Sequence, residues 1–503
     1  MEYQSITESL SYIKPEIAIS VTLAVIVILD LIFNKEKRIV AYAGIVGIIV
    51  TGWLCINQLG VTASVFPASP ASSNYGMMTI DPFGTYFKLL ILAASLVIIF
   101  FSLSSEEFQK TVDRSGEYFT LIFGMIVGMM FMISATNLIL IYIAIEVVSL
   151  SSFVLAGFTK LRNRNSEASL KYMIYGSASS GLMLFGISLV YGITGSTNLY
   201  AINSLLQGPQ INPITIAFAL ILIFAGIGYK ISAVPFHFWT PDVYEGAPIS
   251  ITAFLSIASK AAGFAILIRF IKTSFVLYVG EKGFWHLINV FDWQSFLIII
   301  SILTMTLGNF SALWQTNLKR MLAYSSIAHA GYILLGIVVL SNQGLLAVLV
   351  YFVVYMIMNI GAFYIVMLIA NKTGSEELDD YNGLGLSTPF LGVGLAIFLV
   401  SLTGLPPTAG FIGKLYIFIA LLDAKMITVA VIALLNTVVS LYYYIRVLKH
   451  MFLSERNSET PVIPFSVGNM IFILVLLIPL LVLGVYFAPL VEFSKNCLTL
   501  LGV

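Results

Sequence analysis

Charge is what this sequence has least of. Asp, Glu, Lys and Arg make up 10% of its 503 residues, where soluble domains carry about 25%, and the signs nearly cancel at a net +1. So sparse and balanced a charge offers no basic surface to nucleic acid. Cysteine is almost as scarce. Cys55 and Cys497 form no paired motif, which excludes iron–sulfur and zinc ligation. Phosphate-binding signatures are missing too. The GIGYK of 226–230 lies in an apolar run rather than after a strand, and the GFIGKL of 410–415 lacks the spacing and the hydroxyl of a phosphate loop. No nucleotide, flavin or haem site is readable. The first apolar run, PEIAISVTLAVIVILDLIF, has neither a basic n-region nor a cleavage site, so no cleavable signal peptide is expected.

Apolar length is what the chain has in abundance. It is 59% hydrophobic, with a mean hydropathy of +0.99. A membrane-crossing helix needs about 20 apolar residues, and such runs follow one another almost from end to end. The pattern predicts an all-α polytopic membrane protein with spans near 15–33, 39–56, 83–103, 118–134, 137–158, 168–193, 213–236, 248–271, 294–312, 322–340, 344–370, 388–422, 427–452 and 467–489. Proline interrupts two of them, at Pro235 in the seventh and at Pro406–Pro407 in the overlong twelfth.

Two broken helices, each with a lysine near the break, point to a transport site in an inverted-repeat protein. They lie five spans apart. Five is odd, so units of spans 4–8 and 9–13 have opposite topologies, although no shared residue pattern is evident between them. The organisation expected is a three-helix segment 1–112, five-helix units 113–272 and 273–453, and a last helix within 454–503. Lys and Arg favour one face: fourteen of the 25 fall in loops on one side and six on the other. By the positive-inside rule both termini then face the periplasm, with the basic 272–293 loop as the exception.

Four ionisable residues lie deep inside apolar runs: Glu146, Lys230, Lys260 and Lys414. Each costs roughly 2.5–3.5 kcal/mol at the bilayer centre on insertion scales, so such residues are rare without a use. Three lysines and one carboxylate, with no cluster of acids, point to protons rather than metal cations. The alternatives are a snorkelling Lys230, a protonated structural Glu146, and a Lys414 solvated at the break. Lys171, beside Glu167, fits an interfacial role as well as a functional one. His237 fits a proton relay or a structural hydrogen bond. His329 shares its helix with Ser325, Ser326 and Tyr332, a hydroxyl-rich face able to hold water or to pack helices. Lys88 and Asp30, near span ends, read as interface anchors.

Three segments carry a resemblance: KISAVPFHFWTPDVYEGAP at 230–248, LKRMLAYSSIAHAGY at 318–332 and TGLPPTAGFIGKLYIF at 403–418. They resemble the antiporter-like membrane subunits of respiratory complex I, the NADH–quinone oxidoreductase, and the likeness runs over essentially the whole chain. The missing long lateral helix after the last span sets it apart from subunit L, and Lys414, where subunit M has glutamate, from M. Both companions usually carry histidine where Tyr244 stands. The resemblance implies a fold of fourteen helices with two inverted five-helix repeats and broken helices 7 and 12. It makes Glu146 the fifth-helix glutamate, and Lys171, Lys230, Lys260 and Lys414 the lysines of helices 6, 7, 8 and 12. It also implies proton translocation in a bacterial inner membrane, driven by quinone reduction elsewhere. NADH, FMN, iron–sulfur clusters and quinone are expected in partner subunits and no cofactor in this chain. The neighbours implied are subunit M and small membrane subunits such as K. The alternatives are a subunit of a multisubunit sodium/proton antiporter, which shares the fold, and a non-pumping spacer.

Overall fold

The structure, a computed structural model, describes residues 3–33, 38–67, 76–109, 114–159, 163–208, 212–455, 463 and 466–502. In hydrocarbon each backbone N–H and C=O must be bonded within its own segment, which drives apolar runs into helices. Among the described residues thirteen helices are long and apolar enough to cross a membrane. Five come first: Lys14–Ile32, Arg38–Ile56, Pro82–Leu103, Ser115–Ser134 and Leu138–Ala156. The sixth to eleventh are Asn163–Thr194, Pro213–Ile231, Ile249–Phe275, Trp293–Ala312, Leu318–Val338 and Asn342–Thr373. The thirteenth and fourteenth are Ile427–Leu453 and Val467–Val485.

The twelfth is in two pieces, Pro389–Thr403 and Ala409–Asp423. At about 1.5 Å per residue each is about 22 Å long, short of the roughly 30 Å of hydrocarbon, so neither crosses alone. The seventh stops at Ile231, ahead of Pro235, and resumes as the half-helix Trp239–Gly246. Two small antiparallel hairpins, Ala63–Pro67 with Gly76–Ile80 and Val276–Val279 with Trp285–Leu287, depart from the all-helical expectation. The eighth span is wholly enclosed by its neighbours and the tenth and eleventh nearly so, whereas the first, second and fourteenth turn most of their surface outward. That enclosed centre is where the deep lysines lie.

The loops that open the fifth and tenth spans, and those that close the sixth and eleventh, share a short residue pattern where none was evident. Thr136-Asn137-Leu138 opens the fifth span and Thr316-Asn317-Leu318 the tenth. Thr194-Gly195-Ser196 closes the sixth and Thr373-Gly374-Ser375 the eleventh. Leu138 N donates to Thr197 O and Leu199 N to Thr136 O, at 2.8 and 2.9 Å. Leu318 N to Glu376 O and Leu378 N to Thr316 O repeat both bonds at the same lengths. Each Thr-Gly-Ser turn closes on its threonine hydroxyl, and its glycine takes a positive φ, 69° and 71°, that a side chain would strain. Only three residues match at the first pair of loops and four at the second, too short a signal to stand out in 503.

Three basic residues lie elsewhere than expected. Lys88 is no interface anchor: it is buried and paired with Glu16 at 2.5 Å. Arg269 is fully buried and grips Asp81 with two nitrogens, at 2.7 and 2.9 Å. Burial opposes ionisation of Asp81, but the guanidinium beside it holds the carboxyl below its usual range. Lys272 is buried too, over the Trp285 ring. Arg269 and Lys272 are therefore packed residues of the eighth span rather than loop charges.

Candidate functional site

Lys230 sits in the last turn before the break of the seventh span, 1% exposed. Its ammonium donates to Ser149 Oγ of the fifth span at 2.9 Å. Ser149 follows Glu146 by three residues, and residues three apart share a helix face. The Ser149 bond therefore brings Lys230 to the Glu146 side of that helix. Glu146 itself makes no ion pair within 4 Å among the described residues, and its buried Oε1 has no hydrogen-bond partner. It is half-buried, on a face where Ile143, Val147 and Leu150 are exposed.

Lys260 follows a π-helical turn, Leu255–Ser259, inside the eighth span. Such a turn inserts one residue and shifts the register of the helix beyond it. Asn359 Nδ2 holds this turn through Ser256 Oγ at 2.6 Å. The Lys260 ammonium donates to the backbone oxygen and the hydroxyl of Ser326, at 2.9 and 2.7 Å, and Tyr355 donates to the same hydroxyl at 2.8 Å. One turn beyond Lys260, Gly263 lets the seventh and eighth spans touch. A Cβ there would lie 2.7 Å from Ile231 Cγ2 and 3.5 Å from Lys230 Cβ. The helices bearing Lys230 and Lys260 thus adjoin, though no hydrogen bond links the two lysines.

From Lys260 onward the surroundings are hydroxyls. His329 Nδ1 pairs with Tyr351 OH at 2.7 Å and Nε2 with Tyr444 OH at 3.4 Å, and Tyr444 bonds Ser325 at 2.5 Å. Tyr332 bonds Thr437 at 3.0 Å and offers its ring face to Lys414, 4.5 Å away. Lys414 lies after the break of the twelfth span and reaches back, donating to Thr403 O at 2.7 Å. It thereby caps a carbonyl at the C-terminal end of the first half-helix, where the macrodipole favours a cation. Gly404 makes room: its φ is +87°, and a Cβ would come 2.7 Å from Lys414 Cδ.

Lys171 and His237 stand apart from this row. Lys171 pairs with Glu167 at 2.8 Å and with Asp242, on the half-helix of the seventh span, at 2.6 Å. Arg320 of the tenth span binds Asp242 and Glu245 at 2.6 and 2.8 Å, and these three, with Arg164 and Glu167, line a cavity of about 140 Å³. Burial alone would raise the Asp242 carboxyl, but hydrogen bonds from Lys171 and Arg320 hold it below the usual range. Lys319 donates to Ala247 O at 2.8 Å, just past the same half-helix. His237 is buried in the loop between the halves, its ring 4.5 Å from that of Phe238.

Sequence reasoning passed over Ser149, Thr403, Tyr351, Tyr355 and Tyr444. For Tyr351 and Tyr355 a signal existed, two hydroxyls at i and i+4 within an apolar run. Ser149 and Thr403 gave none, because their part depends on which helix faces them.

Residues 135–440 match the family described as NADH:quinone oxidoreductase/Mrp antiporter, transmembrane region. NADH-quinone oxidoreductase subunit N 2 of Chloroherpeton thalassium is 45% identical, over 97% of this chain and 94% of its own length. NAD(P)H-quinone oxidoreductase subunit 2 of Thermosynechococcus vestitus is 41% identical, over 88% and 82%. A chain of respiratory complex I from Thermus thermophilus superposes with a TM-score of 0.76 at 28% identity, covering 96% of this chain and 99% of its own. A chain of the Mrp complex from a Dietzia species has the same fold, with a TM-score of 0.80 at 21% identity and 96% of each chain covered. Relatives matched over nearly their whole length decide between the two kinds of complex. The chain belongs to the antiporter-like membrane subunits of NADH–quinone oxidoreductase, in the branch of subunit N.

Proposed function

We propose that this subunit moves protons along Glu146, Lys230, Lys260 and Lys414, while the electron chemistry, with NADH, FMN, iron–sulfur clusters and quinone, belongs to partner subunits. The observation that carries the reading is how the three lysines are held. Each is at most 3% exposed, and each is bonded to neutral oxygens alone among the described residues, the Ser149 hydroxyl, Ser326 and the Thr403 carbonyl. Such an amine can take or release a proton without stranding a counter-ion. An approaching carboxylate favours its charged form. Glu146 near Lys230 therefore loads that lysine, and separation drives the proton toward Lys260, on through the hydroxyls around His329, and to Lys414. Moving one charge against the membrane potential takes roughly 2.3 kcal/mol per 100 mV, within the reach of a few-unit change in lysine affinity at about 1.4 kcal/mol per unit.

The matching loop pairs support two inverted repeats, 113–272 and 273–453, flanked by the three-helix segment 1–112 and a last helix within 454–503. On this reading the protein lies in a bacterial inner membrane beside subunit M and small subunits such as K, with both termini on the periplasmic side. Lys171 and His237 sit toward the cytoplasmic mouth.

Replacing Lys260 with methionine should leave the complex assembled and cut proton pumping about tenfold or more, as loss of a positioned proton carrier does; wild-type pumping by that variant would overturn the path. Orientation has its own test. With Cys55 and Cys497 removed, cysteines at Asn57 and Asn198 should react with an impermeant thiol reagent from outside, and one at Asn163 only from the cytoplasm. The opposite pattern would invert the topology.

A further inference from the structure

The first and third spans carry an ion pair that the row of lysines does not use. Glu16, in the first turn of the first span, lies 2.5 Å from Lys88 of the third, and both are buried. Ser134, the last residue of the fourth span, donates to Oε1 of the same carboxylate at 3.3 Å. The other oxygen, Oε2, is buried without a hydrogen-bond partner. A carboxylate accepts at about four lone-pair sites and an ammonium has three donors, so most of the pair's bonding capacity is unused by the described residues. Buried ions are tolerated when those remaining valences are met, and a polar site with unmet donors and acceptors is where internal water is held. Toward the eighth span the way is aromatic. Phe87, next to Lys88 in sequence, packs on Phe352, and Phe352 on Phe264, with ring centroids 5.6 and 5.3 Å apart.

We propose that Glu16 and Lys88 form a separate, hydrated proton-binding site, with internal water bridging Glu16 Oε2 and the free N–H groups of Lys88. An ionisable pair inside a membrane marks a functional position by default, and this one lies outside both five-helix units. Its chemistry is the exchange of one proton. The Nζ–H bond breaks as an O–H bond forms on Glu16, and the pair is net neutral before and after, so hydrocarbon accommodates either form. Through Oε2 the acid hands its proton to water, and Lys88 is reloaded from water, with no other reactant. The site is independent of the path through Lys260: inert Lys260 variants would sink that path and leave this inference standing.

The experiment uses the assembled complex in sealed vesicles, with Glu16→Gln, Lys88→Met and the double variant Glu16→Leu/Lys88→Met. Protons pumped per electron are measured beside uncoupled quinone reduction. The expected result is pumping reduced about threefold or more in all three, with uncoupled quinone reduction within about twofold of wild type, as befits a lost proton-transfer group. Full pumping by the double variant would overturn the proposal and leave the pair a clamp between spans. A map of the wild-type complex that resolves internal water supplies the second measurement, which does not depend on any variant folding. Density at hydrogen-bond distance from Oε2 is expected, and a dry Oε2 would overturn the hydrated site.

Discussion

The two broken spans put their lysines on opposite sides of the break, and their surroundings differ accordingly. Lys230 lies before its break and is held from outside its own span, by Ser149 of the fifth, one helical turn from a half-buried carboxylate. Lys414 lies after its break and is held by its own span, through the Thr403 carbonyl, with Tyr332 above it and a histidine–tyrosine cluster behind. The fifth span presents half of its surface outward, whereas the tenth is almost fully enclosed. The first site therefore lies beside an outward-facing helix, and the second is enclosed among hydroxyls. Two breaks of the same kind thus hold their lysines in unlike ways.

The sharpest way to break this comparison is to remove the controlling charge. Glu146→Gln should assemble yet lose about tenfold or more of the pumping coupled to quinone reduction, since each unit by which the carboxylate tunes the Lys230 proton affinity is worth about 1.4 kcal/mol, a factor of ten. Glu146→Asp should keep part of it, because the charge remains while its reach shortens. Full pumping by the Gln variant would make Glu146 a structural acid and erase the difference between the two broken spans.

A smaller loss is expected at the sheltered site. Lys414→Ala should reduce pumping several-fold, about the scale of one missing proton carrier, and Lys414→Glu should retain more activity, because any titratable group suffices for a relay. If alanine pumps like wild type, or if neither variant assembles, Lys414 is chiefly a cap on the broken helix.

The least effect is expected where the tenth span meets the half-helix Trp239–Gly246. Arg320→Gln frees Asp242 and Glu245 from the tenth span and should weaken pumping about twofold to fivefold, in keeping with the 0.2–1 kcal/mol typical of partly exposed pairs. Arg320→Lys should recover part of that. The native clamp has a pH signature of its own. A carboxyl held below its usual range contributes above that range, so the Asp242 contribution should persist as pH falls to about 4 and be lost only below it. Thermal unfolding of wild type and Asp242→Asn between pH 7 and 4 measures it, and a gap that closes well above pH 5 would rule out the clamp.

Much of this architecture was legible from hydropathy alone, because a span of about 20 apolar residues is a strong signal and proline marks the breaks. The deep lysines were legible for the same reason, as charges where charge is costly. What surrounds them was not. Ser149 and Thr403 look like any hydroxyl in an apolar helix until a neighbouring span is laid beside them. Lys88 reads as an anchor because it lies near a span end, and Arg269 as a loop charge because it lies two residues from the end of its span, while Glu16 draws no notice at all. Nearness to an end measures depth along one helix, whereas burial is decided by all the helices around it. The loop repeat escaped for another reason: hydrogen-bond geometry repeats where only a few residues do.

The half-exposed Glu146 bears on how the complex is built. It lies among Ile143, Val147 and Leu150, on a face that would meet lipid in a lone subunit. A carboxylate facing hydrocarbon is costly, so this face suits a neighbouring subunit better than lipid. The same side chain that the proposal makes the loader of the first lysine is thus also a polar point on an otherwise apolar outer face.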